Sequence, residues 1–175
     1  DSNLDEPTLQ DKVAPWLQAV LATREPRWKF VAFHHPPYTG GQYAPDVRIQ
    51  RTLVPVIEAA GVDVVFLGHD HTYQRTFPLL RGQVVSDDTG VVYVITAAGG
   101  GHLYEPRQPR PEYIAVFDNQ HFSFTQVAVD GDELTLHQIA LEGNTLDEWT
   151  RRKTSIVAEP DVAPADLEKE APAEP

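Results

Sequence analysis

Val62-Asp63-Val64-Val65-Phe66-Leu67-Gly68-His69-Asp70-His71 reads as a buried strand that delivers two imidazoles at its end. Its first six residues are almost wholly apolar, as a strand covered on both faces should be. Upstream, Trp28–Phe33 is a second short apolar run, and it leads into His34-His35-Pro36-Pro37-Tyr38. Between the two runs, Ile49, Leu53, Val56, Ile57 and Ala60 recur at helical spacing. Pro55 sits either in that helix's first turn or at a kink in it, and Gly61 closes it. Strand, helix, strand, with histidines at the same end of both strands, predicts an α/β fold. In open α/β sheets, ligands bind beyond the carboxyl ends of the strands.

Working outward, Leu9, Val13, Trp16, Leu17, Val20 and Leu21 predict an amphipathic helix over roughly 8–23, ended by Pro26. Tyr38–Val47 is rich in Gly, Pro and Tyr and reads as a loop. Gly90–Ala98 is a further apolar strand, followed by the flexible Gly99-Gly100-Gly101. Phe122–Val129 and Glu133–Leu141 flank Asp130-Gly131, the signal of an antiparallel hairpin. The expected architecture is one α/β domain over 1–157 with a C-terminal antiparallel section. Residues 158–175 are Ala-, Pro- and acid-rich, cannot bury enough apolar surface, and are expected to be a disordered tail.

The chain of 175 residues carries a formal net charge of -12. An acidic body repels phosphate backbones, which argues against a general nucleic-acid binder. A small phosphorylated substrate is less affected, because a metal dominates the local field. There is no cysteine, so disulfides and thiolate metal sites are excluded. No apolar run is long enough to span a bilayer. There is no methionine either, and Asp1 is read as the cut or continued end of a longer protein.

Neutral imidazole suits Zn, Fe, Cu or Ni. His34 and His69 each fall at the carboxyl end of a predicted strand, and Gly68 lets the chain bend into the site. His69 and His71 point to the same side in extended backbone, with Asp70 pointing away. The same alternation turns His35 away from His34, as a packed or hydrogen-bonded histidine. His102, after the triple glycine, is a candidate for the edge of the site. His121 and His137 lie on the hairpin strands and read as structural or exposed. Asp70, Tyr73 and Arg75 either support or line the site, or form a surface turn with a local ion pair. The triple glycine lacks the Lys-Ser/Thr of a P-loop, and no serine nucleophile elbow is present. No residue of this chain is a firm catalytic group beyond the candidate ligands.

His34-His35-Pro36-Pro37-Tyr38 and Gly68-His69-Asp70-His71-Thr72-Tyr73-Gln74-Arg75 together resemble the calcineurin-like metallophosphoesterases, in the branch similar to purple acid phosphatases. The second block resembles that family's Gly-His-x-His-x-Tyr-Glu-Arg signature, with Gln74 in place of Glu. The resemblance is to the C-terminal half of the family domain and implies part of a four-layer α/β/β/α sandwich. It implies that His34 and His69 ligate one ion of a dinuclear pair (Fe, Zn or Mn) and His71 the other. It implies hydrolysis of phosphate monoesters or diesters by a metal-bound hydroxide. The motifs that supply bridging carboxylates are absent before His34, so a missing N-terminal half is the expected partner. Three imidazoles alone hold one divalent ion weakly, not a charged dinuclear centre. The loop Thr39-Gly40-Gly41-Gln42-Tyr43-Ala44 lacks the histidines that contact substrate in plant relatives, so substrate preference does not carry over. A secreted or periplasmic location follows from the resemblance alone. The rival reading is a non-catalytic fragment that binds a single metal or a partner. A His-x-His barrel hydrolase needs a far longer chain.

Overall fold

The computed structural model describes residues 1–23, 26–86 and 89–153. The expected tail at 158–175 lies outside the described residues.

The quoted strand is β2 (Val64–Leu67), paired in parallel with β1 (Phe30–Phe33) and with β6 (Val92–Thr96). These three strands, followed by β3 (Tyr73–Thr76) and β7 (Ile114–Asp118), make a five-stranded mixed sheet in the order β1-β2-β6-β3-β7. β3 runs antiparallel to both its neighbours. Residue alternation divides the strands between two cores. Val65 and Leu67, with Tyr93 and Ile95, face the helices; Val64, Val92 and Val94 face the other way. Burial on both faces explains why Val62–Leu67 shows no polar alternation.

The helix face is covered by α2 (Ala14–Ala22), α3 (Val47–Thr52) and α4 (Val54–Ala59). Leu9, Leu17, Ile49, Leu53 and Ile57 form the packing layer. The expected helix at 8–23 begins earlier, at α1 (Glu6–Thr8), where Asp5 accepts the Thr8 N–H at 2.9 Å and caps it. It passes through a π-helical stretch, Leu9–Val13, before α2. The second expected helix is two. Pro55 cannot donate a backbone hydrogen bond, and it stands in the first turn of α4, just past the break at Leu53. Gly61 ends α4 at φ +63.

The opposite face is covered by an antiparallel sheet of β8 (Ser123–Asp130), β9 (Glu133–Ala140) and β10 (Thr145–Arg152), in the order β10-β9-β8. Its Leu134, Leu136 and Trp149 meet Val64, Val92, Val94 and Tyr73. The hairpin is as expected, with Gly131 at φ +53 in its turn; β10 is an added third strand. Asp63, the one charge in the apolar run, is 4% exposed and pairs with Lys153 Nζ at 2.7 Å, just beyond β10. A short ribbon of β4 (Leu79–Leu80) and β5 (Gln83–Val84) completes the fold. Helices, mixed sheet and antiparallel sheet are three successive layers of the expected α/β/β/α order. No helix among the described residues is long and apolar enough to cross a membrane.

Candidate metal centre

β1 and β2 are in register from Phe30↔Val64 to Phe33↔Leu67, so His34 and Gly68 leave the sheet side by side. The Gly68 N–H donates to the His34 carbonyl at 3.1 Å, which fixes the two strand ends together. A Cβ on Gly68 would stand 3.0 Å from His34 Nδ1, so only glycine leaves that ring its place without a shift. His69 then turns into the left-handed region at φ +69. For a residue with a Cβ this costs about 1–2 kcal/mol, a strain that collects at functional sites. The turn brings His69 Nδ1 to 3.3 Å from His34 Nε2.

That separation tests the donor set directly. A tetrahedral ion bonded to imidazole nitrogens at about 2.0–2.1 Å requires them to be about 3.3–3.4 Å apart. The His34–His69 pair meets this requirement. One nitrogen each from His34, His35 and His69 lie within 4.8 Å of one another. Burial, then the neighbouring imidazoles of His35 and His34, hold the His69 pKa below the ordinary value, which favours the neutral form that ligates. The donor set therefore fits a transition-metal ion.

His71 is not a member of this group. Its backbone is not extended as expected, because residues 69–72 form a bend. His71 Nδ1 donates to the His102 carbonyl at 3.1 Å, and the Tyr104 N–H donates to the His71 carbonyl at 3.1 Å. The Tyr104 ring stacks on His71 at 4.4 Å and 9°. A Cβ on Gly101 would fall 2.6 Å from His71 Nδ1. These contacts fix the tautomer and leave Nε2 as the nitrogen that could accept a metal. His102 thus acts through its backbone, while its ring meets Tyr104 edge-on.

Asp70 points away from the histidines. It is fully buried and accepts Thr39 Oγ1–H at 2.6 Å and the Gln42 N–H at 3.0 Å. It anchors the loop after Pro37, with Gln74 Oε1 holding the Gly40 N–H at 2.8 Å. Tyr73 and Arg75 lie on the opposite face of β3 from Gln74. Tyr73 Oη donates to Asp147 at 2.6 Å, and Arg75 binds both oxygens of Asp147, at 2.7 and 3.0 Å. That cluster joins the two sheets rather than lining the histidine site.

His35 is packed and hydrogen-bonded, as expected, but it does not turn away from His34. Its ring lies 4.9 Å from His34 and 4.7 Å from His69. The alternation argument fails because β1 ends at Phe33 and the chain bends at 34–35. Tyr43 was not singled out either; its ring rests on His69 at 4.3 Å and meets Tyr104 at 5.6 Å. The Gly- and Tyr-rich composition of its loop was the available signal. A cavity of about 360 Å³ opens beside these rings, lined by His35, Tyr43, Arg48 and His69 among others. His121 pairs with Asp118 at 3.0 Å and His137 with Glu148 at 3.5 Å, both away from the site.

The Calcineurin-like phosphoesterase family model matches residues 1–73, which contain His34, His69 and His71. Purple acid phosphatase 18 of Arabidopsis thaliana is 35% identical over 117 residues, 61% of this chain and 26% of that protein. The Fe(3+)-Zn(2+) purple acid phosphatase 12 of the same plant is 32% identical over 115 residues, 57% of this chain and 24% of that protein. Among solved structures, a purple acid phosphatase from yellow lupin (Lupinus luteus) seeds shares the fold with a TM-score of 0.72. That match has 19% identity and covers 81% of this chain and 28% of the other. The chain thus spans about a quarter of the length of these relatives. In sequence the chain is thus similar to calcineurin-like phosphoesterases, purple acid phosphatases among them, and in fold to a purple acid phosphatase.

Proposed function

We propose that this chain supplies the histidine side of a dinuclear metal centre that hydrolyses phosphate esters of small molecules. The observation that carries the reading is the 3.3 Å approach of His34 Nε2 and His69 Nδ1 at the carboxyl ends of two paired parallel strands. His34 and His69 would hold one ion, and His71, through Nε2, the other. When bound, such ions activate water and neutralise charge on the phosphoryl oxygens. The chain's own residues hold the ligands still. Gly68 and the left-handed turn aim His69; the His102 carbonyl and the Tyr104 ring fix His71. Asp70 ties down the loop that carries Tyr43, which covers His69 on the side of the cavity. Phosphatase relatives, one of them named for Fe(3+) and Zn(2+), support phosphorylated substrates and this class of metal. The carboxylates that a dinuclear pair needs would come from a preceding half of the same domain, a reading supported by the quarter-length coverage.

A second reading, a site for one ion without turnover, is favoured by His71 lying outside the imidazole group. Joined to that preceding half and loaded with metal, the protein should hydrolyse p-nitrophenyl phosphate, lose that turnover on chelation, and regain it with Zn²⁺ or Fe. His69→Ala and His71→Ala should each abolish it. Unchanged turnover in either variant would refute the assignment of that ligand, and one bound ion with no turnover would favour the second reading.

A further inference from the structure

We propose that His35 is a third imidazole ligand at the His34–His69 position, set in place by Ser2, so that this chain holds one transition-metal ion through histidines alone. The inference rests on the metal-binding reading above and adds a ligand and a positioning residue to it. Ser2 is 3% exposed. Its hydroxyl lies 2.9 Å from His35 Nδ1 and accepts the His35 backbone N–H at 3.2 Å. The Arg48 guanidinium reaches back to the Leu4 carbonyl at 2.7 Å and holds the N-terminal segment against this loop. Arg48 is itself committed to Asp46 at 2.6 Å, so it brings no unpaired charge to the imidazoles.

With Nδ1 engaged by Ser2, Nε2 is the atom that His35 has left to offer. A metal-bound imidazole needs this arrangement: one nitrogen bonded to a polar protein group that fixes the ring, the other free. His35 stands within 5 Å, ring to ring, of both His34 and His69, and one of its ring nitrogens lies within 4.8 Å of a nitrogen of each. The terminal torsion of histidine is broad, so the last adjustment of that ring costs little. Packing alone would not require three imidazoles to bring nitrogens together, two of them on the wall of an open cavity. Each ring could instead have turned an apolar edge inward. Among the described residues, no Asp or Glu belongs to the group. Three neutral nitrogens leave the net +2 charge of a divalent ion uncompensated, which leaves the site open to an anion.

The test is titration of the full chain with Co²⁺, followed by calorimetry and by visible absorption, in wild type and variants checked for folding by circular dichroism. Wild type should bind one Co²⁺ at this position with the absorption of a nitrogen-rich, low-coordinate ion. His35→Ala should weaken binding at least tenfold and shift the spectrum. Ser2→Ala should weaken it about tenfold, the usual effect of losing a partner behind a ligand. If His35→Ala fails to fold, His35→Gln keeps a hydrogen-bonding group for Ser2 and removes the imidazole; it should show the same loss. Affinity and spectrum unchanged in His35→Ala or His35→Gln, while His34→Ala and His69→Ala lose binding, would overturn this proposal and leave the parent reading standing. Binding unchanged in His34→Ala and His69→Ala as well would overturn both.

Discussion

His69 is held in a backbone conformation that its own side chain disfavours, and everything immediately around it explains why the strain persists. Gly68 makes room for His34, the His34 carbonyl takes the Gly68 N–H, and Asp70 is fixed in a buried socket of donors. Asp70→Asn places an amide N–H₂ among groups that already donate. It should cost about 1–3 kcal/mol of stability, the penalty for an unsatisfied buried group, read as a shift in the denaturant midpoint. An unchanged midpoint would mean that the loop at 39–42 is held by other contacts. At this scale the approach of His34 and His69 was legible, because each follows an apolar strand and the two strands pair side by side. The hydrogen-bonded role of His35 was legible, but its orientation was misread because strict alternation was carried past the end of β1 at Phe33. Ser2 was invisible, since nothing local marks a partner 33 positions away.

β3 shows what an element can hide. Tyr73-Gln74-Arg75 carries part of the family signature, yet these residues are an interior strand whose faces serve two purposes. Gln74 holds the site loop; Tyr73 and Arg75 hold Asp147 of β10. The strand escaped the sequence reading because it is short and polar, and its polar groups find partners only in the tertiary structure. The Arg75–Asp147 pair is 11% and 7% exposed. Arg75→Ala strands the Asp147 carboxylate in that setting and should destabilise the protein by about 3–5 kcal/mol. Burial pushes the Asp147 carboxyl up, but the hydrogen bonds from Arg75 and Tyr73 outweigh it, and the folded group titrates below its ordinary value. A depressed carboxyl stabilises the fold fully above its unfolded pKa of about 4 and loses that contribution as the pH falls through the folded value. Wild type should therefore lose stability on acidification below about pH 4, more steeply than Asp147→Asn. Parallel melting curves for the two proteins would contradict the linkage.

At the scale of the whole molecule, the order of helix, strand, helix, strand was readable because both faces of the mixed sheet are apolar. The two cores, the position of β7 and the third strand of the antiparallel sheet were not, because they depend on which non-local partners cover which face. Among the described residues, β1 has a strand neighbour on one side only. Phe30 and Phe66 meet at 6.1 Å beside that edge, with Phe30 41% exposed. An open edge with apolar cover recruits other strands. The chain by itself should self-associate in sedimentation velocity, and Phe30→Lys should reduce that association; a monodisperse monomer at high concentration would contradict it. The most direct check of the metal centre is X-ray absorption fine structure on the Zn²⁺-loaded protein and on His69→Ala. Wild type should show imidazole nitrogens at about 2.0–2.1 Å with their outer-ring scattering, and the variant should lose part of that shell. An oxygen-only shell, the same in both proteins, would contradict the histidine centre.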